Sequence, residues 1–170
     1  AGCSSGEEVW TLMMLLLGED AAAARRIAGA NIKALASDIA LDALATARAA
    51  IYPAEAVGAM PEALRRRWCH AAAEAGTGRI MIAPEVRAMV RFRELNLFGC
   101  WPMRQPFDVV FCRNVMIYFD VQAKEQLMLA LTQQLRPGGF LYIGHSERIA
   151  GPAASLLDCV GPPIYQRRRG

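Results

Sequence analysis

The sequence has few of the residues from which metal centres and disulfide frameworks are built. Only two histidines occur in 170 residues, so a histidine-rich metal site is not expected. The cysteines are odd in number, widely separated and never spaced as Cys-x-x-Cys; they are Cys3, Cys69, Cys100, Cys112 and Cys159. This pattern is typical of neither a disulfide-stabilised domain nor a zinc site, and we therefore predict that the protein uses no metal.

A long hydrophobic run is also missing. The longest apolar stretch, residues 9–17, is interrupted by Thr11 and is too short to cross a bilayer. Glu7 and Glu8 precede it, whereas a secretory signal would carry positive charge at that place. The sequence therefore predicts a soluble protein that is not inserted in a membrane and that works in the cytoplasm.

Neither sign of charge dominates the chain. The formal net charge is +3, and the basic residues fall in short clusters such as 65–67 and 167–169, not in a continuous stripe. Short clusters of this kind are usually solvated, and contact with an acidic partner surface is the alternative. Because a basic stripe is missing, binding to nucleic acid is not expected.

Hydrophobic residues make up 54% of the sequence, which is enough for one domain with a substantial core. Their spacing predicts strands at residues 32–38, 79–82, 89–95, 107–112 and 140–147, helices at 9–17, 41–50, 61–75 and 121–135, and a closing antiparallel hairpin at 156–160 and 164–166. Residues 18–31 are interpreted as a helix end and a connection. The block from about 53 to 95 interrupts the alternation of strands and helices, and we predict that it is a small antiparallel insertion.

The most informative stretch begins with the predicted strand 107–112 and ends at Asp120. The strand is apolar and rich in β-branched residues, as buried parallel strands are, and Asp120 is a good N-cap for the helix that follows. Arg113 and Asn114 come directly after the strand, and Tyr118 follows shortly afterwards. In an open α/β sheet, residues just past the carboxyl end of a strand border the ligand crevice. The alternatives are that Arg113 forms a surface ion pair and that Tyr118 is a core aromatic residue.

Other polar positions also follow predicted strands. A loop of small residues at 1–8 enters the first helix, and its glycines let the backbone approach a ligand closely. Asp38 ends the first predicted strand, where a carboxylate suits the hydroxyls of a nucleoside ribose; the alternative is that it caps the next helix. Asn96 and Leu97 follow a later strand. These positions predict a nucleoside-type ligand at the strand ends.

Five segments match the pattern of a known family. They are Ala-Gly-Cys-Ser-Ser-Gly-Glu-Glu at residues 1–8, Ala-Ser-Asp-Ile at 36–39, residues 90–97, residues 107–120, and Leu-Arg-Pro-Gly-Gly-Phe-Leu with the later Gly-His-Ser-Glu within 135–147. Together they resemble the chemotaxis receptor glutamate methyltransferases of the CheR type, over nearly the whole chain. The resemblance implies an α/β fold: a Rossmann-like sheet of the class I S-adenosylmethionine-dependent methyltransferases, with helices on both faces, a small antiparallel β insertion and a closing β-hairpin.

The resemblance also implies which residues bind the cofactor and the substrate. S-adenosylmethionine would be held by Glu8, Asp38, Asn96, Leu97, Arg113 and Asn114. Asp38 would take the ribose hydroxyls, and Asn96 and Leu97 would lie beside the adenine. The implied catalytic residues are Tyr118 and Arg113: Tyr118 would lie near the transferring methyl group, and Arg113 would either draw in the anionic substrate or hold the local network.

The family forms methyl esters on glutamates in the helical cytoplasmic arms of chemoreceptors, which are therefore the implied partners. Relatives can also dock a receptor tail peptide on the β insertion.

The sequence departs from the family at Val9-Trp10, where Pro-Tyr is frequent, and at Ala40, where a second acid is frequent. The family's N-terminal helical domain and first strand have no counterpart before Ala1, so we interpret the chain as N-terminally truncated.

Two other functions compete with this interpretation. A non-catalytic module that binds S-adenosylmethionine for signalling would keep the fold and lose turnover, but the intact segment from Arg113 to Tyr118 argues against it. A nucleobase methyltransferase would carry Asp or Asn followed by Pro-Pro and an aromatic residue after the equivalent strand. Asn114 is instead followed by Val-Met-Ile-Tyr, which argues against that class.

Overall fold

The computed structural model describes residues 1–72 and 78–169. The chain divides into two compact units, one formed by residues 3–95 and the other by residues 1–2 together with the chain from residue 96 onwards. Each has its own cluster of buried hydrophobic side chains and its own β-strand pairing. We call them the N-terminal unit and the C-terminal unit.

The N-terminal unit combines helices with two small sheets. Its elements are α1 (Glu7–Leu17), α2 (Ala21–Gly29), β1 (Ala34–Asp38), α3 (Leu41–Ala49), β2 (Ile51–Pro53), a 3₁₀ turn (Ala54–Val57), α4 (Glu62–Trp68), β3 (Cys69–Ala71), β4 (Arg79–Ile82), α5 (Pro84–Ala88) and β5 (Val90–Glu94). Strands β1 and β5 pair in parallel, from Ala34 opposite Val90 to Asp38 opposite Glu94. Strands β2, β4 and β3, in this order, form an antiparallel sheet.

Helix α1 is held by an apolar stripe with helical spacing. Trp10, Met14 and Leu17 lie on one face of the helix and are almost completely buried. They belong to the same hydrophobic cluster as Leu44 of α3. Because this cluster fixes α1, it also fixes the place at which the loop of small residues enters the helix.

Two helix predictions in this unit are wrong. Residues 18–31, predicted as a helix end and a connection, contain α2. The Asp20 side chain caps this helix by accepting a hydrogen bond from a backbone N–H of its first turn (2.6 Å). The helix predicted at 61–75 ends at Trp68, because the next residues pair with β4 as strand β3. The predicted helix residues 73–75 lie outside the residues that the structure describes.

The predicted antiparallel insertion is also too long. The strand predicted at 79–82 is confirmed as β4 and lies at the centre of the antiparallel sheet. The strand predicted at 89–95 is confirmed as β5, but it pairs in parallel with β1, so its assignment to the insertion is wrong. Val90 and Phe92 are buried in β5, and such an alternating pattern suits either kind of partner strand.

The C-terminal unit is built on one mixed sheet. Its elements are β6 (Phe107–Cys112), a 3₁₀ turn (Met116–Tyr118), α6 (Val121–Gln134), β7 (Leu135–Ile143), a second 3₁₀ turn (Gly151–Leu156), β8 (Leu157–Gly161) and β9 (Ile164–Arg167). The strand order is β6-β7-β9-β8, in which β6 and β7 are parallel and the other pairs are antiparallel. The predicted strand 107–112 and the closing hairpin are confirmed, and so is the α/β class of the chain. The strand is not buried as expected, since it lies at the edge of this sheet and only Cys112 among its residues is buried.

Helix α6 covers this sheet as its sequence pattern predicts. Asp120 is confirmed as its N-cap, since its side chain accepts a hydrogen bond from Ala123 N (2.8 Å). Leu127 and Leu131 are buried in one cluster with Leu135, the first residue of β7. At 14 residues α6 is the longest of the described helices. Across the described part of the chain, every helix falls short of the length and apolar character needed to cross a membrane.

Candidate functional site

In the N-terminal unit, the loop of small residues lies against the end of β1. Cys3 N donates a hydrogen bond to Ser37 O (2.9 Å), and Ser4 N donates to Oδ2 of Asp38 (2.7 Å). Gly6, with φ of 90°, leads into α1, and a Cβ at this position would lie only 2.8 Å from a side chain of α3. The fold thus brings together the loop and Asp38, which the sequence analysis predicted separately as cofactor contacts.

Asp38 uses both carboxylate oxygens within the protein. Oδ2 accepts from Ser4 N, and Oδ1 accepts from Ala40 N (3.0 Å). Ala40 is itself the N-cap residue of α3, and this helix has no side-chain cap, so the alternative that Asp38 caps it is wrong. A carboxylate has about four acceptor positions, which leaves about two for a ligand. Asp38 is only partly buried, so part of the residue is open to solvent.

Tyr52 of β2 anchors the same loop, and the sequence analysis missed it. Its hydroxyl donates to Ser5 O (2.6 Å) and accepts from Trp10 Nε1 (2.9 Å). Burial raises the pKa of Tyr52 to about 12, so the phenol is neutral at physiological pH and can donate and accept at once. The only signal in the sequence was an isolated tyrosine in a short apolar segment.

Cys3 and Glu8 are two further residues of this loop region with side chains that could take part in chemistry. Burial, with a contribution from the Asp38 carboxylate, raises the pKa of the Cys3 thiol to about 11. The thiol is therefore neutral at pH 7 and is a poor nucleophile. Glu8, a predicted cofactor contact, lies in the first turn of α1 and is partly buried; its contact with a cofactor stays a prediction.

In the C-terminal unit, Asn96 organises the loop that precedes β6. Its Oδ1 accepts from Phe98 N (2.9 Å), and its backbone O accepts from Trp101 Nε1 (3.1 Å). Asn96 is exposed and Leu97 is partly buried. An open cleft of about 330 Å³ lies between this loop and α6, lined by Leu97, Trp101 and three glutamines of the helix. Because Asn96 Oδ1 is used within the loop, the exposed amide NH₂ is a hydrogen-bond donor that Asn96 can present to a ligand.

Arg113, Asn114 and Tyr118 follow β6, as predicted. Arg113 is partly buried, whereas Asn114 is exposed and adopts a left-handed conformation (φ 58°), which asparagine tolerates better than most residues. Tyr118 ends the 3₁₀ turn and is 79% exposed, so the alternative that it is a core aromatic residue is wrong. The roles of these three residues in binding and catalysis stay predictions.

A buried carboxylate that the sequence analysis did not single out lies beside this loop. Glu147 is 7% exposed and accepts hydrogen bonds from Met116 N (3.2 Å) and Gly144 N (2.5 Å). It follows β7, the strand that neighbours β6, and so it links the loops that leave two adjacent strands. The sequence signal for Glu147 is the Gly-His-Ser-Glu segment after a buried strand. The sequence analysis used this segment only for the resemblance to the family.

Within residues 1–72 and 78–169, no three side chains of His, Cys, Asp or Glu are grouped in a way that could hold a metal ion.

Comparison with known proteins gives a consistent result. Residues 1–162 match the family described as CheR methyltransferase, SAM binding domain. The chain is 34% identical over 166 residues to a probable chemotaxis protein methyltransferase of Rhizobium etli, an alignment that covers 98% of this chain and 60% of the relative. It is also 34% identical to chemotaxis protein methyltransferase 2 of Pseudomonas aeruginosa, in an alignment that covers 97% of this chain and 57% of the relative. The chemotaxis protein methyltransferase of Borreliella burgdorferi is likewise 34% identical, with 98% of this chain and 56% of the relative covered. The chain therefore spans 56–60% of the length of these relatives.

Proposed function

The chain belongs to the CheR methyltransferase family, and we propose that it transfers a methyl group from S-adenosylmethionine to glutamate side chains in the cytoplasmic helices of chemoreceptors. The product is a methyl ester, and the process is adaptation in bacterial chemotaxis. The observation that carries this proposal is the family match over residues 1–162, whose description names S-adenosylmethionine binding. The names of the relatives, chemotaxis protein methyltransferases, support it further.

The donor and acceptor groups of the proposed site residues fit this cofactor. Asp38 is partly buried and has acceptor positions left after its two internal hydrogen bonds, which suits a pair of ribose hydroxyls. The exposed amide of Asn96 offers N–H donors that suit the ring nitrogens of adenine, and Leu97 offers an apolar surface. Glu8 is a further proposed contact. Each of these assignments rests on the chemistry of the side chain and on its match to the family motif.

The proposed chemistry needs no strong base. Bound S-adenosylmethionine supplies an activated methyl group, and a glutamate side chain is already an anion at neutral pH. The task of the protein is therefore to bring the carboxylate oxygen to about 3–3.5 Å from the methyl carbon, away from water. The raised pKa of Cys3 is consistent with this, since the loop thiol is neutral and offers neither a base nor a nucleophile at pH 7.

We assign the substrate-facing role to Tyr118. Its exposure of 79%, in a turn that directly follows β6, supports contact with an incoming side chain. Asn114 is proposed as a cofactor contact. Arg113 is proposed both as a cofactor contact and as the residue that draws in the anionic glutamate or holds the local network.

The antiparallel sheet β2-β4-β3 is the proposed docking place for a receptor tail peptide. Strands β2 and β3 are its two edges, and an extended peptide can add to a strand edge through main-chain hydrogen bonds. A protein that modifies the cytoplasmic part of a receptor works in the cytoplasm, which is the proposed location of this chain.

The decisive test uses S-adenosylmethionine carrying a labelled methyl group. The chain is incubated with purified cytoplasmic fragments of chemoreceptors, and the labelled fragment is then treated with mild base. Release of labelled methanol is expected, because a carboxyl methyl ester is hydrolysed under these conditions. Mass spectrometry identifies the modified glutamate, and a fragment with that glutamate replaced by alanine is the control, which should lose the label.

Two results would contradict the proposal in different ways. A label that survives base treatment indicates N-methylation and a different reaction class. Binding of S-adenosylmethionine without any transfer to the fragments indicates the alternative function, a non-catalytic signalling module.

A further inference from the structure

Glu147 is the one charged side chain among the buried residues that the structure describes, and it is not one of the proposed ligand contacts. We propose that it is a positioning residue for methyl transfer: its carboxylate holds the loop of residues 113–119 and thereby sets the position of Tyr118. The inference rests on the proposed function and extends it to a residue outside the proposed ligand contacts.

The direction of the Glu147 carboxylate is fixed by its own turn. The chain leaves β7 and turns from Gly144 to Glu147, where Glu147 N donates to Gly144 O (3.0 Å). Gly144 N donates in return to Oε2 of Glu147 (2.5 Å). A Cβ at position 144 would lie 2.7 Å from Oε2, so the carboxylate can reach this N–H only because the residue is glycine.

The second carboxylate oxygen crosses to the neighbouring loop. Oε1 of Glu147 accepts a hydrogen bond from Met116 N (3.2 Å). The two loops start side by side, because β6 and β7 are parallel and Cys112 lies opposite Ile143. The Met116 side chain is 1% exposed within the hydrophobic cluster of this unit. Met116 is therefore held by the packing of its side chain and by the hydrogen bond from its backbone N–H to Glu147.

Tyr118 depends on this anchor because its side chain has little packing of its own. It is 79% exposed, so its place is set by the backbone of the 3₁₀ turn. In that turn Tyr118 N donates to Val115 O (3.3 Å), and Phe119 N donates to Met116 O (3.1 Å). Asn114, just before the turn, has a left-handed conformation, which is less favourable than the ordinary backbone regions even though asparagine tolerates it better than most residues. A fixed Met116 holds the loop in this conformation.

A carboxylate is better suited to this task than an amide, because it offers one acceptor oxygen to each of the two N–H donors. Glutamine has the same size but only one oxygen, so its NH₂ group would face one of the two N–H donors. Glu147→Gln therefore removes one of the two links without leaving a cavity.

The first test measures the loop directly, by amide hydrogen exchange of the whole chain. Glu147→Gln is expected to speed exchange in the peptide that contains residues 113–119 by about tenfold or more, since glutamine can no longer accept from both loops at once. Ser146→Ala, an exposed position in the same turn, is the matched control and should leave that peptide unchanged. Unchanged exchange in Glu147→Gln would overturn the inference whether or not the chain is active.

The second test asks whether Glu147 acts through Tyr118. Glu147→Gln is expected to lower kcat by about tenfold to a hundredfold, with a much smaller change in the affinity for S-adenosylmethionine. Combined with Tyr118→Phe, it should lower kcat by less than the product of the two single effects, because both changes disturb one unit. Multiplicative effects on kcat, or equal losses of kcat and affinity, would mean that Glu147 has only a general structural role.

A further variant keeps the tests decisive if Glu147→Gln does not fold. Gly144→Ala retains the charge but displaces the carboxylate, and the same changes in exchange and kcat are expected. The outcomes also separate this inference from the proposed function. An active wild-type chain with unaltered kcat in both variants contradicts the role of Glu147 alone, whereas a wild-type chain that forms no base-labile ester contradicts the proposed function.

Discussion

Asp38 combines a structural role with a proposed binding role in one carboxylate. Its two oxygens hold the loop at Ser4 and the turn at Ala40, and its remaining acceptor positions are proposed to bind the ribose of S-adenosylmethionine. We expect Asp38→Ala to weaken cofactor binding by about 1.5–3 kcal/mol, the range for hydrogen bonds to a charged group. Isothermal titration calorimetry measures the change, and an unaltered affinity would exclude the ribose assignment.

A control variant separates the effect of Asp38 on cofactor binding from a general loss of stability. Asp20→Ala removes another carboxylate of the same unit that accepts a backbone N–H, at the N-terminus of α2. It should lower the thermal stability of the chain without changing cofactor affinity. If Asp20→Ala weakens binding as much as Asp38→Ala, the effect of Asp38 is transmitted through stability and not through contact.

The N-terminus of α6 allows the stabilisation by a single helix cap to be measured. Asp120 accepts a hydrogen bond from Ala123 N, and replacing such a cap by alanine costs about 1 kcal/mol. We expect Asp120→Ala to lower the free energy of unfolding by this amount in urea denaturation. Asp120→Asn keeps an acceptor oxygen and should lose much less, so equal losses in the two variants would contradict the capping role.

The elements differ in how well the sequence predicts them, for identifiable reasons. The strand 107–112 and helix α6 are predicted at the right positions, because an apolar run and a repeated leucine stripe are strong signals of a strand and of a helix. The expected burial of the strand is wrong: within β6 only Cys112 is buried. Helix α2 is missed because its alanine-rich sequence has only one buried residue, Ala24, and depends on the Asp20 cap. The pairing of β5 is assigned wrongly because alternation of buried residues does not identify the partner strand.

In the candidate site, too, the sequence predicts the positions of residues but not the hydrogen bonds between distant segments. The rule that ligands bind at the carboxyl ends of strands predicts Asp38, Asn96 and Asn114 from their places after apolar runs. The rule says nothing of hydrogen bonds between distant segments. Tyr52 and Glu147 are missed for this reason, since each holds a loop that lies far away along the chain.

In the molecule as a whole, three acidic groups whose pKa is raised by burial link stability to pH. Burial raises the pKa of Cys3 to about 11 and of Tyr52 to about 12, and it also raises the pKa of Cys69. All three belong to the N-terminal unit. In the unfolded chain the thiols and the phenol have their ordinary pKa values of about 9 and about 10. The folded chain therefore keeps protons that the unfolded chain has already lost.

This difference predicts a loss of stability at alkaline pH. Below about pH 9 the groups are protonated in both states, and their contribution to stability is fully present. From about pH 9 to about pH 12 the unfolded chain binds fewer protons, so the free energy of unfolding should fall as the pH rises. Urea denaturation at a series of pH values measures the slope. In Tyr52→Phe the phenol no longer titrates, so the slope above pH 10 should become shallower, and an unaltered slope would contradict the assignment to Tyr52.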